Sequence, residues 1–578
     1  MTQHFPDAKY SNRNLQGLAG RLTEYGDRDF SLFLRRSFIK SLGLSNAALN
    51  KPIIGILNTY SELNSCHRGF PELVQAVKRG VWQAGGLPLE FPTISLGEPY
   101  LHPTSMMMRN LMSMDVEVML RSQPLDAVVL VGGCDKTLPA LLMGAASAEL
   151  PSILLAAGPM LTGSYEGKRV GACTDCRREW ARFRRGEIDH ETVTEFENEL
   201  VPTTGTCGVM GTASTMACLA EAMGMMLPGG ASIPAVYAER LRHAEATGKQ
   251  AVVLAGSGLT PGKIMTTASI ENAVRTLLAI GGSTNAVIHL AAIAGRLGIQ
   301  LKMEMINELG RNTPLLVAVK PAGEYYMEDF YRAGGMTVVL QELKPMLQLN
   351  AITVTGKTLG DVLSSRCKRP AWQSVIRSAD NPLQKDGALV VLHGNLAPDG
   401  AVLKRSAATQ ELLEVTGRAV VFSSVEDLMA RIDEPDLDVR PEDILVLHNA
   451  GLIGGPGMPE VGSFPIPKKL GNLKDIVRIS DGRMSGTAFG TIVLHVSPEA
   501  AVGGPLRLVR QGDLIELSVT KRELNLLVDQ KTLDARRLQS QNFQTPSRGY
   551  ERLYFESIQQ CHLGADFDFL RHESLQPP

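Results

Sequence analysis

Apolar positions along the chain gather into short unbroken runs, "PIIGILNTY" (52–60), "DAVVLVGG" (126–133) and "PSILLAAGP" (151–159), each closed by a polar or glycine-rich turn that leads into a helical pattern. Strands that are apolar on both faces belong in a sheet covered on both sides, so this alternation predicts βα units around a mostly parallel sheet. Helices are expected over 71–85, 138–149, 214–226 and 268–280, the last capped by Ser269 or Thr267. After "RSADNPLQKDG" (377–387) the texture changes to short strands with tight turns: "ALVVLHGNLAPDGAVLK", "AVVFSS", "DILVLHNAG" and "LIELSV". That spacing predicts a β-rich, barrel-like unit. The expected organisation is an α/β N-terminal domain over 1–383, with a parallel sheet covered by helices, and a β-barrel-like C-terminal domain over 384–578. The apolar residues of the tail "HLGADFDFLRHESLQPP" are expected to pack on a neighbouring surface.

A chain of 578 residues can bury a large core without covalent staples. Charged residues make up 20% with a formal net charge of -2 and no basic block, which disfavours nucleic acid and anionic membranes as partners. Small-molecule chemistry is the default. The first residues lack a basic stretch followed by an apolar core, and no apolar run is long enough to span a bilayer, so a cytoplasmic protein is expected. Eight cysteines (66, 134, 173, 176, 207, 218, 367 and 561) spread over this length read as ligands or buried thiols and not as a disulfide framework.

Three of those cysteines fall in loops. Cys66 lies in "NTYSELNSCHRGF", Cys134 in "GGCDK" after a strand, and Cys207 between glycines in "TTGTCGVMGTASTM". In open α/β sheets, the loops at the carboxyl ends of the strands are where ligands bind. Three separated loop thiolates could hold an iron-sulfur cluster and leave one iron without a protein ligand, which makes it a Lewis acid. Beside Cys134 stand Asp135, a hard donor suited to magnesium, and Lys136, which as an ammonium is no ligand. Lys136 either pairs with Asp135 or is carbamylated into an anion with oxygen donors. Glu98 in "FPTISLGEPYLHPTS" and Glu460 in "GLIGGPGMPEVGSF" are further acidic candidates in glycine-rich turns. Ser485 in "RISDGRMSGTAFG" sits in a turn whose amides could stabilise an alkoxide.

Taken together, "NSCHRG", "GGCDKTLPA", "TGTCGVMGTASTM", "GGSTNAVIHLA", "GGPGMPE" and "SDGRMSG", in this order between about residues 50 and 520, resemble the dihydroxy-acid and sugar-acid dehydratase family. The resemblance implies a 2Fe-2S cluster on Cys66, Cys134 and Cys207. It also implies a magnesium ion on Glu98, Asp135, Glu460 and a carbamylated Lys136, with Ser485 as the base. The reaction implied is loss of water from a 2,3-dihydroxy carboxylate, giving a 2-keto-3-deoxy acid by way of an enol. Glu98 stands where the branched-chain amino-acid enzymes are expected to carry the aspartate of a Ser-Asp-Gly turn, and Ala140 follows the proline of "GGCDKTLPA". Both features are similar to the sugar-acid branch and favour aldonates such as L-arabinonate, D-xylonate or a hexonate over dihydroxy-isovalerate. Homodimers or homotetramers are implied, with the tail, and with it His572, near a neighbour's site.

Competing readings are a dihydroxy-acid dehydratase of branched-chain amino-acid synthesis and, from another class, a non-enzymatic iron-sulfur redox sensor. The C-x-x-C of "ACTDC", Cys173 and Cys176, has no second pair and is set apart from the three cluster cysteines as a local feature. "GSGLTPGKI" (256–264) fails the phosphate-loop spacing at Ser257 and Ile264, which disfavours an NTPase.

Overall fold

The computed structural model describes residues 17–23, 25–364, 369–461, 464–537 and 543–575. Cys367 and the first sixteen residues lie outside the described residues. Four parallel strands, β1 (Ile53–Asn58), β2 (Leu87–Pro92), β3 (Ala127–Gly132) and β4 (Ser152–Ala156), form a sheet in the order β2-β1-β3-β4. Every residue of β1, β3 and β4 is buried, as strands covered on both faces must be. β2 is an edge strand and carries Pro88 and Pro92, residues that an inner ladder would not accept.

Helices occupy Phe70–Gln83, Thr137–Ala148, Thr212–Ala222 and Thr267–Ala279, within a few residues of the expected spans. The last is entered through Thr266, whose side chain makes no cap bond. Neither Thr267 nor Ser269 is the cap, because both already lie within the helix; the Ser269 hydroxyl instead donates to the Thr266 carbonyl. Two long helices, Phe70–Gln83 and Ala238–Ser257, cross at glycines. A Cβ on Gly80 would lie 2.0 Å from the Glu245 carbonyl oxygen, and one on Gly248 2.3 Å from that of Val77. A short antiparallel hairpin, β5 (Gly163–Tyr165) and β6 (Lys168–Val170), turns through Glu166 and Gly167, both at positive φ.

From Leu389 the chain builds a closed eight-stranded barrel: β7 (Leu389–Gly394), β8 (Ala397–Lys404), β9 (Glu414–Phe422), β10 (Ile444–Leu447), β11 (Val477–Ser480), β12 (Ile492–Leu494), β13 (Leu514–Ser518) and β14 (Glu523–Leu526). The fold is thus an α/β unit with a parallel sheet, joined to a mixed β-barrel. β9, β10, β11 and β12 run parallel in succession, while β8, β7 and β13 close the cylinder largely through antiparallel pairs. No helix of the described residues is long and apolar enough to cross a membrane.

Residues 549–575 return to the α/β unit. The Arg109 guanidinium donates to the carbonyls of Gly564 and Ala565 at 2.9 and 2.5 Å, and Arg296 pairs with Asp566 at 2.5 Å with both side chains fully buried. His572 bonds through its backbone N–H to Gly295 and through its ring to Ser574.

Candidate active site

Glu98, Asp135 and Glu460 come from three distant places: a turn after β2, the loop after β3, and the loop after β10. One carboxylate oxygen from each lies within 4.8 Å of the others. Three carboxylates this close must be compensated. Lys136, fully buried, contacts Asp135 and lies 3.5 Å from Glu98. Arg483, equally buried, donates to Glu98 at 2.7 Å, to Glu460 at 3.0 Å and to the Thr104 hydroxyl at 2.7 Å. Arg177 reaches Glu460 from the other side at 3.5 Å. Burial works against the charge of Glu98, but Lys136 and Arg483 outweigh it and hold its carboxyl at about 2.

The thiols gather beside this cluster. Cys66 lies in the turn Ser65–His67 after β1, where its thiol interacts with that of Cys134, and Cys134 Sγ is 3.6 Å from Asp135 Oδ1. Cys134 and Asp135 therefore join the two groups within one turn. Cys207 lies 3.0 Å, sulfur to sulfur, from Cys173. The sequence had set "ACTDC" apart. The fold brings Cys173 to the other thiols because the β5–β6 hairpin carries the chain back toward the sheet edge. Cys176 points the other way, into an apolar cavity lined by Trp180, Phe196 and Phe464. Hydrogen bonding to Cys134 and burial push the Cys66 thiol up, and the Cys207 contact and burial do the same for Cys173.

His67 escaped notice in the sequence although it sits inside "NSCHRG". Its Nδ1 donates to the Thr59 carbonyl at 2.7 Å and its Nε2 accepts the Gly133 N–H at 3.0 Å, which ties the Cys66 loop to the Cys134 loop. Burial keeps the ring neutral, at about 4, as the accepting Nε2 requires. A Cβ on Gly133 would sit 2.9 Å from that ring, so glycine is needed there.

Ser485 follows Arg483 by two residues on the loop after β11. Its Oγ is 2.9 Å from the Thr487 hydroxyl and accepts the Thr487 N–H at 3.4 Å. Gly486 packs so tightly on Ser283 that a Cβ would come within 2.4 Å, which explains "GGSTN" as a seat for this loop. Lys404, at the end of β8, donates to the Gly486 carbonyl at 3.0 Å; its burial brings the ammonium down to about 7. Further in, His289 accepts at Nδ1 from Arg109 at 3.0 Å, leaving Nε2 without a partner, and neither ring nitrogen of His495 has one. Nε of Arg483 is likewise buried and unpartnered. Arg483, His289, His495 and Cys173 were not legible as site residues, since their roles arise from contacts across more than a hundred positions or from a hairpin with no strong sequence pattern.

Comparison with known proteins identifies the family. Residues 51–362 match the dihydroxy-acid/6-phosphogluconate dehydratase N-terminal family, and 374–565 the C-terminal family of the same name. The chain is 46% identical to an L-arabinonate dehydratase of Rhizobium leguminosarum, covering 95% of each protein. It is 44% identical to a 6-deoxy-6-sulfo-D-gluconate dehydratase of Pseudomonas putida, over 94% of this chain and 95% of that one. With a dihydroxy-acid dehydratase of Carboxydothermus hydrogenoformans the identity is 39%, over 92% and 97%. The chain therefore belongs to the dihydroxy-acid/6-phosphogluconate dehydratase family, on its sugar-acid side, and is a hydro-lyase.

Proposed function

We propose that this enzyme removes water from an aldonate, such as L-arabinonate, D-xylonate or a hexonate, to give the 2-keto-3-deoxy acid. In this reading Cys66, Cys134 and Cys207 hold a 2Fe-2S cluster, while Glu98, Asp135, Glu460 and a carbamylated Lys136 hold magnesium. The observation that carries it is the meeting of three carboxylates within 4.8 Å, joined by one turn to a group of thiols. Hard oxygen donors and soft sulfur donors side by side suit two unlike metal centres.

The donor set fits both groups. Glu98, Asp135 and Glu460 carry three negative charges, and Lys136, Arg483 and Arg177 three positive ones. A divalent cation would leave an excess of positive charge. Carbamylation of Lys136 changes its charge from positive to negative and restores the balance. The buried, unpartnered Arg483 Nε and His289 Nε2 are donors that additional acceptor oxygens in this pocket would satisfy.

When bound, magnesium and the open iron polarise the carboxylate with its neighbouring C2 hydroxyl and the C3 hydroxyl, respectively. The remaining work falls to the chain. Ser485 Oγ accepts the C2 proton, and the Thr487 hydroxyl and N–H donate to that oxygen and stabilise its anionic form. Lys404 and Ser283 fix the turn from beneath. His67 holds the Cys66 and Cys134 loops in register. A boundary near residue 383 assigns the thiols, Glu98, Asp135 and Lys136 to the first domain and Glu460 and Ser485 to the second. The same reading carries a cytoplasmic homodimer or homotetramer.

The test is anaerobic purification, quantification of iron and sulfide, and a screen of aldonates and dihydroxy-isovalerate for 2-keto acid formation with magnesium. Iron with sulfide and turnover of an aldonate are expected. Protein without iron, or turnover of dihydroxy-isovalerate alone, overturns the proposal.

A further inference from the structure

A fourth thiol joins the three of the site: Cys173 Sγ lies 3.0 Å from Cys207 Sγ. A 2Fe-2S cluster whose iron positions are all filled by thiolate takes four sulfurs, two to each iron.

Cys173 is held in this place deliberately. Its φ of 78° lies in the left-handed region, where a non-glycine residue costs energy and where such strain gathers at functional sites. The strain is sustained by Asp175, fully buried two residues on, which accepts the Gly171 N–H at 2.8 Å, the Tyr326 hydroxyl at 2.8 Å and Lys320 Nζ at 3.0 Å. The same strap holds the partner loop: the Lys320 carbonyl accepts the Met210 N–H at 3.0 Å, and the Met327 N–H donates to the Gly208 carbonyl at 2.9 Å. The Cys173 and Cys207 loops are therefore fixed against each other by one clamp. The charges of Glu460 and Arg177 both act on the Cys173 thiol, which ties this pair of loops to the carboxylate site.

We propose that Cys173 is the fourth sulfur ligand of the cluster in the substrate-free enzyme, taking the position on the Cys207 iron that a three-cysteine site leaves open. The proposal rests on the cluster assigned above. It makes the resting site closed, with Cys173 in competition with substrate for one iron position.

Mössbauer spectroscopy of anaerobically reconstituted, iron-57-labelled enzyme without substrate decides it. Two equivalent, all-sulfur ferric sites are expected in the wild type, and one site shifted toward oxygen coordination in Cys173→Ala and Cys173→Ser, with iron and sulfide content retained. Cluster absorbance should bleach several-fold faster in air in the alanine variant. A wild-type spectrum that already shows one oxygen-ligated iron overturns the proposal, whatever the variants do, and so does an alanine variant with a wild-type spectrum. Wild-type protein that binds no iron and sulfide sinks the cluster reading itself, a result distinct from either of these.

Discussion

The open sheet and the closed barrel both serve the site, but they do so unequally. In the sheet all neighbours are parallel, and the loops after β1, β2 and β3 deliver Cys66, Glu98, and Cys134 with Asp135 and Lys136 to one edge. In the barrel only the parallel run from β9 to β12 behaves this way: Glu460 follows β10, Arg483 and Ser485 follow β11, and His495 follows β12. The antiparallel strands close the cylinder, and from the end of β8 Lys404 donates to the Gly486 carbonyl in the turn of Ser485. Parallel strands all end on the same side, so their loops converge, whereas the strands of an antiparallel pair end on opposite sides. The sheet side thus supplies most of the donor atoms together with Lys136, while the barrel adds Glu460, the Arg483 guanidinium and Ser485.

If the barrel's task is the proton, Ser485→Ala should have the largest effect, lowering turnover by about 10²- to 10⁴-fold. Iron content and thermal stability should stay at wild-type level; a parallel loss of iron would show that the two regions are not separable in this way. Next comes Arg483→Met, which leaves Glu98 and Glu460 without their buried partner and should cost about 3–5 kcal/mol by urea denaturation. Added magnesium should recover part of that loss, and an equal loss with and without the ion would argue against a cation at the three carboxylates. Thr487→Val removes the hydroxyl partner of Ser485 Oγ and should slow turnover about tenfold, with the KM for an aldonate unchanged.

The smallest effects are changes of slope. Burial raises Glu221, in the α/β unit, to about 7 from an ordinary 4.5, so its contribution to stability is fully present below 4.5 and is lost as pH rises to 7. Burial lowers Lys404, in the barrel, to about 7 from 10.5, so its cost is fully present below 7 and is relieved as pH rises toward 10.5. Glu221→Gln should flatten the stability profile between pH 4.5 and 7, and Lys404→Met between pH 7 and 10.5. If either variant flattens the other's window, the assignment of slopes to regions fails.

Much of the frame could be read from the sequence, for a physical reason. Doubly covered strands such as β1 and β3 need continuous apolar runs, and the loops after them announce themselves by glycines beside reactive side chains. Residue by residue, Glu98, Asp135 and Glu460 each stood in its own turn, and only the family resemblance grouped them; that they meet depends on barrel and sheet facing one another. Arg483 drew no attention in the sequence, because its partners Glu98 and Thr104 lie 385 and 379 positions away. Cys173 was misplaced for a similar reason, since nothing in "ACTDC" reveals that the β5–β6 turn directs it toward Cys207. "GGSTN" was recognised as a motif, but its use as packing beneath Gly486 is visible only in three dimensions.

The return of residues 549–575 to the α/β unit bears on how the enzyme is made. Arg109 lies on the helix Ser105–Ser122, directly after the Thr104 that steadies Arg483, and its guanidinium is satisfied by carbonyls more than 450 positions downstream. Arg296 waits in the same way for Asp566. During synthesis both arginines emerge long before their partners, so the wall of the carboxylate pocket stays unfinished until the ribosome has released almost the whole chain. A nascent or prematurely terminated protein would carry the carboxylates and thiols but not a settled pocket.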